Sequence, residues 1–187
     1  MLTGNLNNMM NRYKILAIIF ILGSSLQLNA QEIGYNIGMS KQGIDPDGFQ
    51  PLYGMSIGAR FSKLFALETN LLYSQRTIGT VPQADYLSFV LMPKFGYFTD
   101  RFGIYFAPSV VLNPCLYHSN TENHTYASAF TSAGVQLGLG KKIIVDAKLG
   151  YDLGLTGAYY QNNTWQKYKG PMLVLGMKLN LGPVSNK

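Results

Sequence analysis

Apolar and polar positions alternate along most of the chain beyond residue 31. The clearest run is Lys142 to Thr156. Val145, Ala147, Leu149, Tyr151, Leu153 and Leu155 fall on one parity, and Asp146, Lys148, Gly150, Asp152 and Gly154 on the other. Period two over this length predicts a strand with one apolar face and one face of charge and glycine. The same alternation recurs at 33–40, 53–62, 65–74, 87–97, 104–113, 131–139 and 173–181. The connections at 62–64, 99–102 and 140–142 are short, whereas those at 41–52, 77–85, 114–127 and 156–170 are long. The pattern predicts an all-β fold: an eight-stranded antiparallel transmembrane β-barrel, an up-and-down meander with its apolar parity toward lipid and its polar parity toward the lumen. An even strand number puts both chain ends beside the short periplasmic turns and four loops outside. The rival is a soluble barrel of the lipocalin kind with the apolar parity inside. Its outer surface would then be Gly, Ser and Ala with few charges, which suits water poorly.

Residues 1–30 read as a secretory signal peptide, leaving 31–187 as one outer-membrane barrel domain. Arg12 and Lys14 precede an apolar run, Ile15 to Leu22, and Ala30 is the small residue before a cut ahead of Gln31. That run is too short to span ~30 Å of hydrocarbon. Charged residues make up 13%, about half the ~25% usual in a soluble domain, and there are 13 tyrosines and 20 glycines. Such a composition fits a strand protein of the outer membrane, with membrane lipid as its first partner. The formal charge is +6; without Arg12 and Lys14, thirteen basic residues face nine acidic ones. No Lys/Arg cluster marks a nucleic-acid surface. A single cysteine, Cys115, excludes an internal disulfide. No cofactor and no metal set are expected.

Pro93 and Pro108 interrupt two of the strands. Proline cannot donate to a ladder, and a closed barrel has no edge to receive it. A bulge is therefore expected near each, the alternative being that the fourth and fifth strands are shorter than the alternation draws them.

Two runs carry a resemblance. DAKLGYDLGLT, within the 142–156 stretch, and FALETNLLYSQR, at 65–76, look like the seventh and third strands of the PorT-like outer-membrane β-barrel family of Gram-negative bacteria. The IGYNIG opening, the Pro93-Lys94 pair and the Ala107-Pro108 pair also fit. The resemblance spans 31–181 and implies an eight-stranded barrel without implying an activity. One member type is associated with a secretion apparatus, so it implies, as an alternative, an accessory subunit of an outer-membrane secretion or transport machine. The chain departs at its end, LNLGPVSNK, where small barrels often finish on an aromatic.

Eight ionisable residues fall on the lumenal parity: Arg60, Glu68, Arg76, Lys94, Asp146, Lys148, Asp152 and Lys178. All but Arg76 and Asp152 lie toward the short-turn end. A three-residue turn at 63–65 would make Arg60 and Glu68 direct cross-strand neighbours. The plain reading is an ion network that fills a narrow lumen, since buried charges must be paired. The sharper one is a small anion site or a narrow pore using the surplus positive charge.

Tyr159, Tyr160, Trp165 and Tyr168 gather in the fourth long connection. One reading places them, with Tyr53, Tyr73, Tyr86, Tyr117 and Tyr126, in the aromatic girdle at the headgroups. The other makes them an exposed surface for an outer-membrane protein partner or a surface glycan. His118, Ser119, His124 and Ser128 offer serine and histidine without a nucleophile elbow, so no enzyme is expected. Asp45-Pro46-Asp47-Gly48 reads as a turn rather than a calcium loop. The function expected is that of a structural or surface-interaction protein.

Overall fold

The computed structural model describes residues 32–41, 49–78, 81–118, 125–156, 159–161, 164–167 and 169–182. Residues 1–30, for which a signal peptide is expected, together with Asp45–Gly48, Ser119, His124 and Tyr168, lie outside these residues. The described residues form eleven strands: β1 (Glu32–Ser40), β2 (Gln50–Arg60), β3 (Phe65–Ile78), β4 (Val81–Phe98), β5 (Phe102–Asn113), β6 (Cys115–His118), β7 (Tyr126–Leu139), β8 (Ile143–Asp152), β9 (Tyr159–Gln161), β10 (Thr164–Gln166) and β11 (Gly170–Asn180). Nine pair antiparallel in one sheet, and β3 pairing with β4 closes it. β6 continues β5 past Pro114 along the same neighbour, β4, so the barrel has eight staves. β9 and β10 form a hairpin sheet of their own. No helix among the described residues is long and apolar enough to cross a membrane; the strands make the crossing.

The predicted inversion is present. Leu149, Leu175 and Met177 point outward, with Met177 62% exposed, while Lys94, Lys148 and Lys178 are 1–2% exposed. Outside, apolar side chains form a continuous band, including Ile37, Met55, Leu91, Phe106 and Val110. A band of that extent is far larger than the few hundred Å² a soluble surface carries, and hydrocarbon is its natural solvent.

Several expectations are corrected. The connection at 77–85 is mostly strand: β3 and β4 run on to pair Ile78 with Val81, with a register shift between Arg76 and Thr77. Conversely, the regular pairing of the 142–156 stretch stops at Asp152, although Leu153 and Leu155 still donate to the Ala129 and Ala127 carbonyls. Gly154 takes φ 55° and its N–H donates to Asp152 Oδ1 at 3.0 Å, a local turn that interrupts the regular ladder. Tyr86 and Tyr126 are not girdle residues. They continue the inward parity of their strands and meet edge-to-face inside the barrel, ring centroids 5.2 Å apart.

The prolines are not bulged. Leu91 pairs with Val110 and Phe95 with Phe106 in one unbroken register, which sets Pro93 opposite Pro108. Neither can donate to the other, so the ladder lapses over 92–94 and 107–109 and resumes unshifted. Two missing donors that coincide on one seam need no extra residue.

Candidate functional site

The site is the half of the lumen nearest the short turns. Strand parity aims five charged side chains from β3, β4, β8 and β11 at one point. Lys94 Nζ donates to Glu68 Oε2 at 2.6 Å and to Asp146 Oδ2 at 2.9 Å. Lys148 Nζ donates to Glu68 Oε1 at 2.5 Å and lies 3.8 Å from Asp146 Oδ2. Lys178 Nζ donates to Glu68 Oε2 and, at 2.7 Å, to Asp146 Oδ2. Three ammonium groups thus share two carboxylates, each more than 97% buried.

Neighbours complete the cluster. Tyr105 donates its hydroxyl to Asp146 Oδ1 at 2.6 Å, and its ring lies under the Lys94 ammonium, 4.3 Å from the centroid. With its amide oriented by these cations, Gln136 accepts from Lys94 at 3.1 Å and from Lys178 at 3.2 Å. Glu32 Oε2 stands 3.8 Å from Lys178. Glu32, Tyr105 and Gln136 were missed as site residues, although all three sit on the inward parity of their strands.

Two predicted members stand apart. Arg60 is at the rim, where it donates to the Thr99 carbonyl at 3.1 Å and lies 3.7 Å from Glu32. It is not the cross-strand neighbour of Glu68: Arg60 faces Ala66, and Glu68 faces Gly58. The turn sets this register. The N–H groups of Phe61 and Ser62 both donate to the Phe65 carbonyl, and Ser62 Oγ accepts from the N–H groups of Leu64 and Phe65. Asp152 lies toward the long loops, accepting from Ser128 Oγ at 3.3 Å. The Arg76 side chain lies outside those described.

Above the cluster an apolar layer crosses the lumen, built on Leu52, Leu72, Val90, Val111, Phe130 and Val174. A polar chain follows: Ser88 donates to Asn113, Asn113 to Ser128, and Ser128 to Asp152. The cavity between these layers measures about 20 Å³, which holds roughly one water. Among the described lumenal side chains, Arg60, Lys94, Lys148 and Lys178 are balanced by Glu32, Glu68, Asp146 and Asp152. Among the described lumenal side chains, no surplus positive charge is left to build an anion site. The missed residue Glu32 is the reason. Among the described residues no group of His, Cys, Asp and Glu is arranged to hold a metal.

In the fourth connection, Tyr160 pairs across the β9–β10 hairpin with Trp165, and Tyr159 with Gln166. Both strands lie outside the barrel sheet.

A closed antiparallel barrel with a charged, filled interior and an apolar outer wall is an outer-membrane β-barrel, and the outer membrane is where such a wall is satisfied. Solved structures agree on the fold. Neisserial surface protein A superposes with a TM-score of 0.64 at 14% identity, over 80% of this chain and 96% of that one. Ail, the attachment invasion locus protein of Yersinia pestis, solved in complex with the heparin analogue sucrose octasulfate, gives 0.52 at 15% identity, over 79% and 94%. No family model matches the chain, and neither does any curated protein.

Proposed function

We propose that the mature protein, beginning at Gln31, is a non-enzymatic outer-membrane barrel whose lumen is stoppered and whose work is done by its outer loops, in a structural or surface-interaction role. The observation that carries this reading is the cluster of Lys94, Lys148 and Lys178 on Glu68 and Asp146. An ion crossing the lumen would have to break it, and then pass an apolar layer with space for about one water. In planar bilayers the purified barrel should show no stable unitary conductance. Stable conductance steps would replace this reading with a narrow pore.

The contact surface on this reading is the β9–β10 hairpin, with Tyr160 and Trp165 paired across it. Aromatic residues beside Lys167 and Lys169 have the composition of a binding hot spot. Trp165, the only tryptophan, should be quenched by acrylamide in detergent-solubilised protein. A blue-shifted, unquenched emission would put it in lipid or inside the barrel and remove the hairpin from consideration.

The PorT-like resemblance supports a second reading, an accessory subunit of an outer-membrane secretion or transport machine. Its two runs, 65–76 and DAKLGYDLGLT, supply Glu68, Asp146 and Lys148 of the cluster. The partner is then another outer-membrane protein, retained on gentle solubilisation. A surface glycan as partner would more naturally be neutral than polyanionic. Lys41, Arg76, Lys167 and Lys169 on the long-loop side are matched in number by Asp45, Asp47, Asp85 and Glu122.

A further inference from the structure

The charge of the barrel domain is distributed unevenly between its parts. The described lumenal side chains balance, and the long-loop side carries equal numbers of acidic and basic residues in the sequence. The excess sits on the short turns. Lys63, Arg101, Lys141 and Lys142 are all exposed there, opposed only by Asp100. Each of the three short turns contributes at least one of these cations. The 61–64 turn lies against the end of β4, with the Phe98 N–H donating to the Lys63 carbonyl at 2.8 Å. Between that turn and the 99–101 turn is a crevice of about 450 Å³, lined by Arg60, Phe61, Ser62, Lys63, Phe98, Thr99 and Asp100.

Below the crevice the outer wall changes character at once. Phe61 stacks on Phe65 at 5.6 Å, and Phe65 meets its cross-strand partner Phe95 at 5.3 Å in a tilted pair, a row of rings from strand to strand on the lipid-facing side. Phe61 is 60% exposed and Leu64 65%. A cationic, hydroxyl-bearing crevice directly over an apolar aromatic row has the polarity profile of one phospholipid: phosphate above, acyl chain below.

We propose that this rim binds the phosphate headgroup of an anionic phospholipid, seated between the 61–64 and 99–101 turns with Lys63 as the cation lining the crevice, Arg101 on the adjoining turn adding to its field, and the acyl chain against Phe61, Phe65 and Phe95. Lys141 and Lys142 extend the field around the rim. The site faces the leaflet on the short-turn side and is independent of what the loops do. Its role is to fix the height and orientation of the barrel in that leaflet.

The test uses the full folded barrel in nanodiscs of phosphatidylcholine with one fifth phosphatidylglycerol. Retained lipid is counted by native mass spectrometry after stepwise delipidation, and folding is checked by the heat-dependent gel shift. Phosphatidylglycerol should be retained in preference to phosphatidylcholine. Replacing Lys63 and Arg101 together by Gln should cut its retention by roughly fivefold per cation removed. Replacing Lys41 and Lys169, on the opposite rim, should leave it unchanged. Equal retention of the two lipids, or an equal loss from the opposite-rim variant, would overturn the site. Complete competition by glycerol phosphate at the same concentration would show a site for free phosphate and overturn the lipid assignment.

Discussion

Tyr105 lies directly across the β5–β7 ladder from Gly134, and its ring occupies the space a side chain at Gly134 would need. A Cβ there would come within 2.4 Å of the ring and of its hydroxyl oxygen, and within 2.9 Å of the Ala147 carbonyl. The glycine lets the phenol lie against the wall and reach Asp146 at 2.6 Å.

Gly134→Ala should therefore displace Tyr105 and break that hydrogen bond, lowering stability by about 1–3 kcal/mol. Gly58→Ala is the matched control: the atoms nearest its new Cβ are 3.5 Å away, an ordinary contact. Urea midpoints of the folded form, read from unheated gels, should fall for the first variant and hardly move for the second. Equal midpoints would mean that the ring has somewhere else to go.

Glu68 receives all three ammonium groups of the cluster. Glu68→Ala leaves Asp146 to serve them, with Glu32 only at 3.8 Å from Lys178. Breaking a buried pair from one side costs about 3–5 kcal/mol, because the charge left behind stays desolvated. Glu68→Gln keeps an acceptor and should cost less. The unfolding midpoint decides, and an unmoved midpoint in Glu68→Ala would remove the cluster as a source of stability.

Pro93 and Pro108 oppose each other where the β4–β5 ladder lapses. Pro93→Val and Pro108→Val each return one donor to a position facing a backbone carbonyl, so each should stabilise the barrel by about 1 kcal/mol. Hydrogen exchange at residues 92–94 and 107–109 should slow in the double variant. Unaltered exchange would show that the seam stays open for a reason other than the missing donors.

Much of this architecture is local and so was legible along the chain. A strand's side chains alternate because its backbone does, whatever it pairs with. Period two therefore named the eight staves, their inverted polarity and the inward aim of Glu68, Lys94, Asp146, Lys148 and Lys178. The same parity held the clue to Glu32, Tyr105 and Gln136, which were passed over because alternation says which way a residue points and not whom it meets.

Meeting is decided by register and closure. Glu68 and Lys178 stand 110 positions apart in the chain, yet they touch because the stagger of a closed barrel brings β3 and β11 to the same height. The 61–64 turn, through bonds between its own backbone and Ser62, slid Arg60 away from Glu68 and toward Glu32. Pairing between β3 and β4 carried both strands into 77–85, to Ile78 and Val81, where the gap between alternating runs suggested a loop. The facing of Pro93 and Pro108 removed the need for bulges. Direction along a strand is written in its own residues; partners across the lumen exist only once all eight staves have closed on one another.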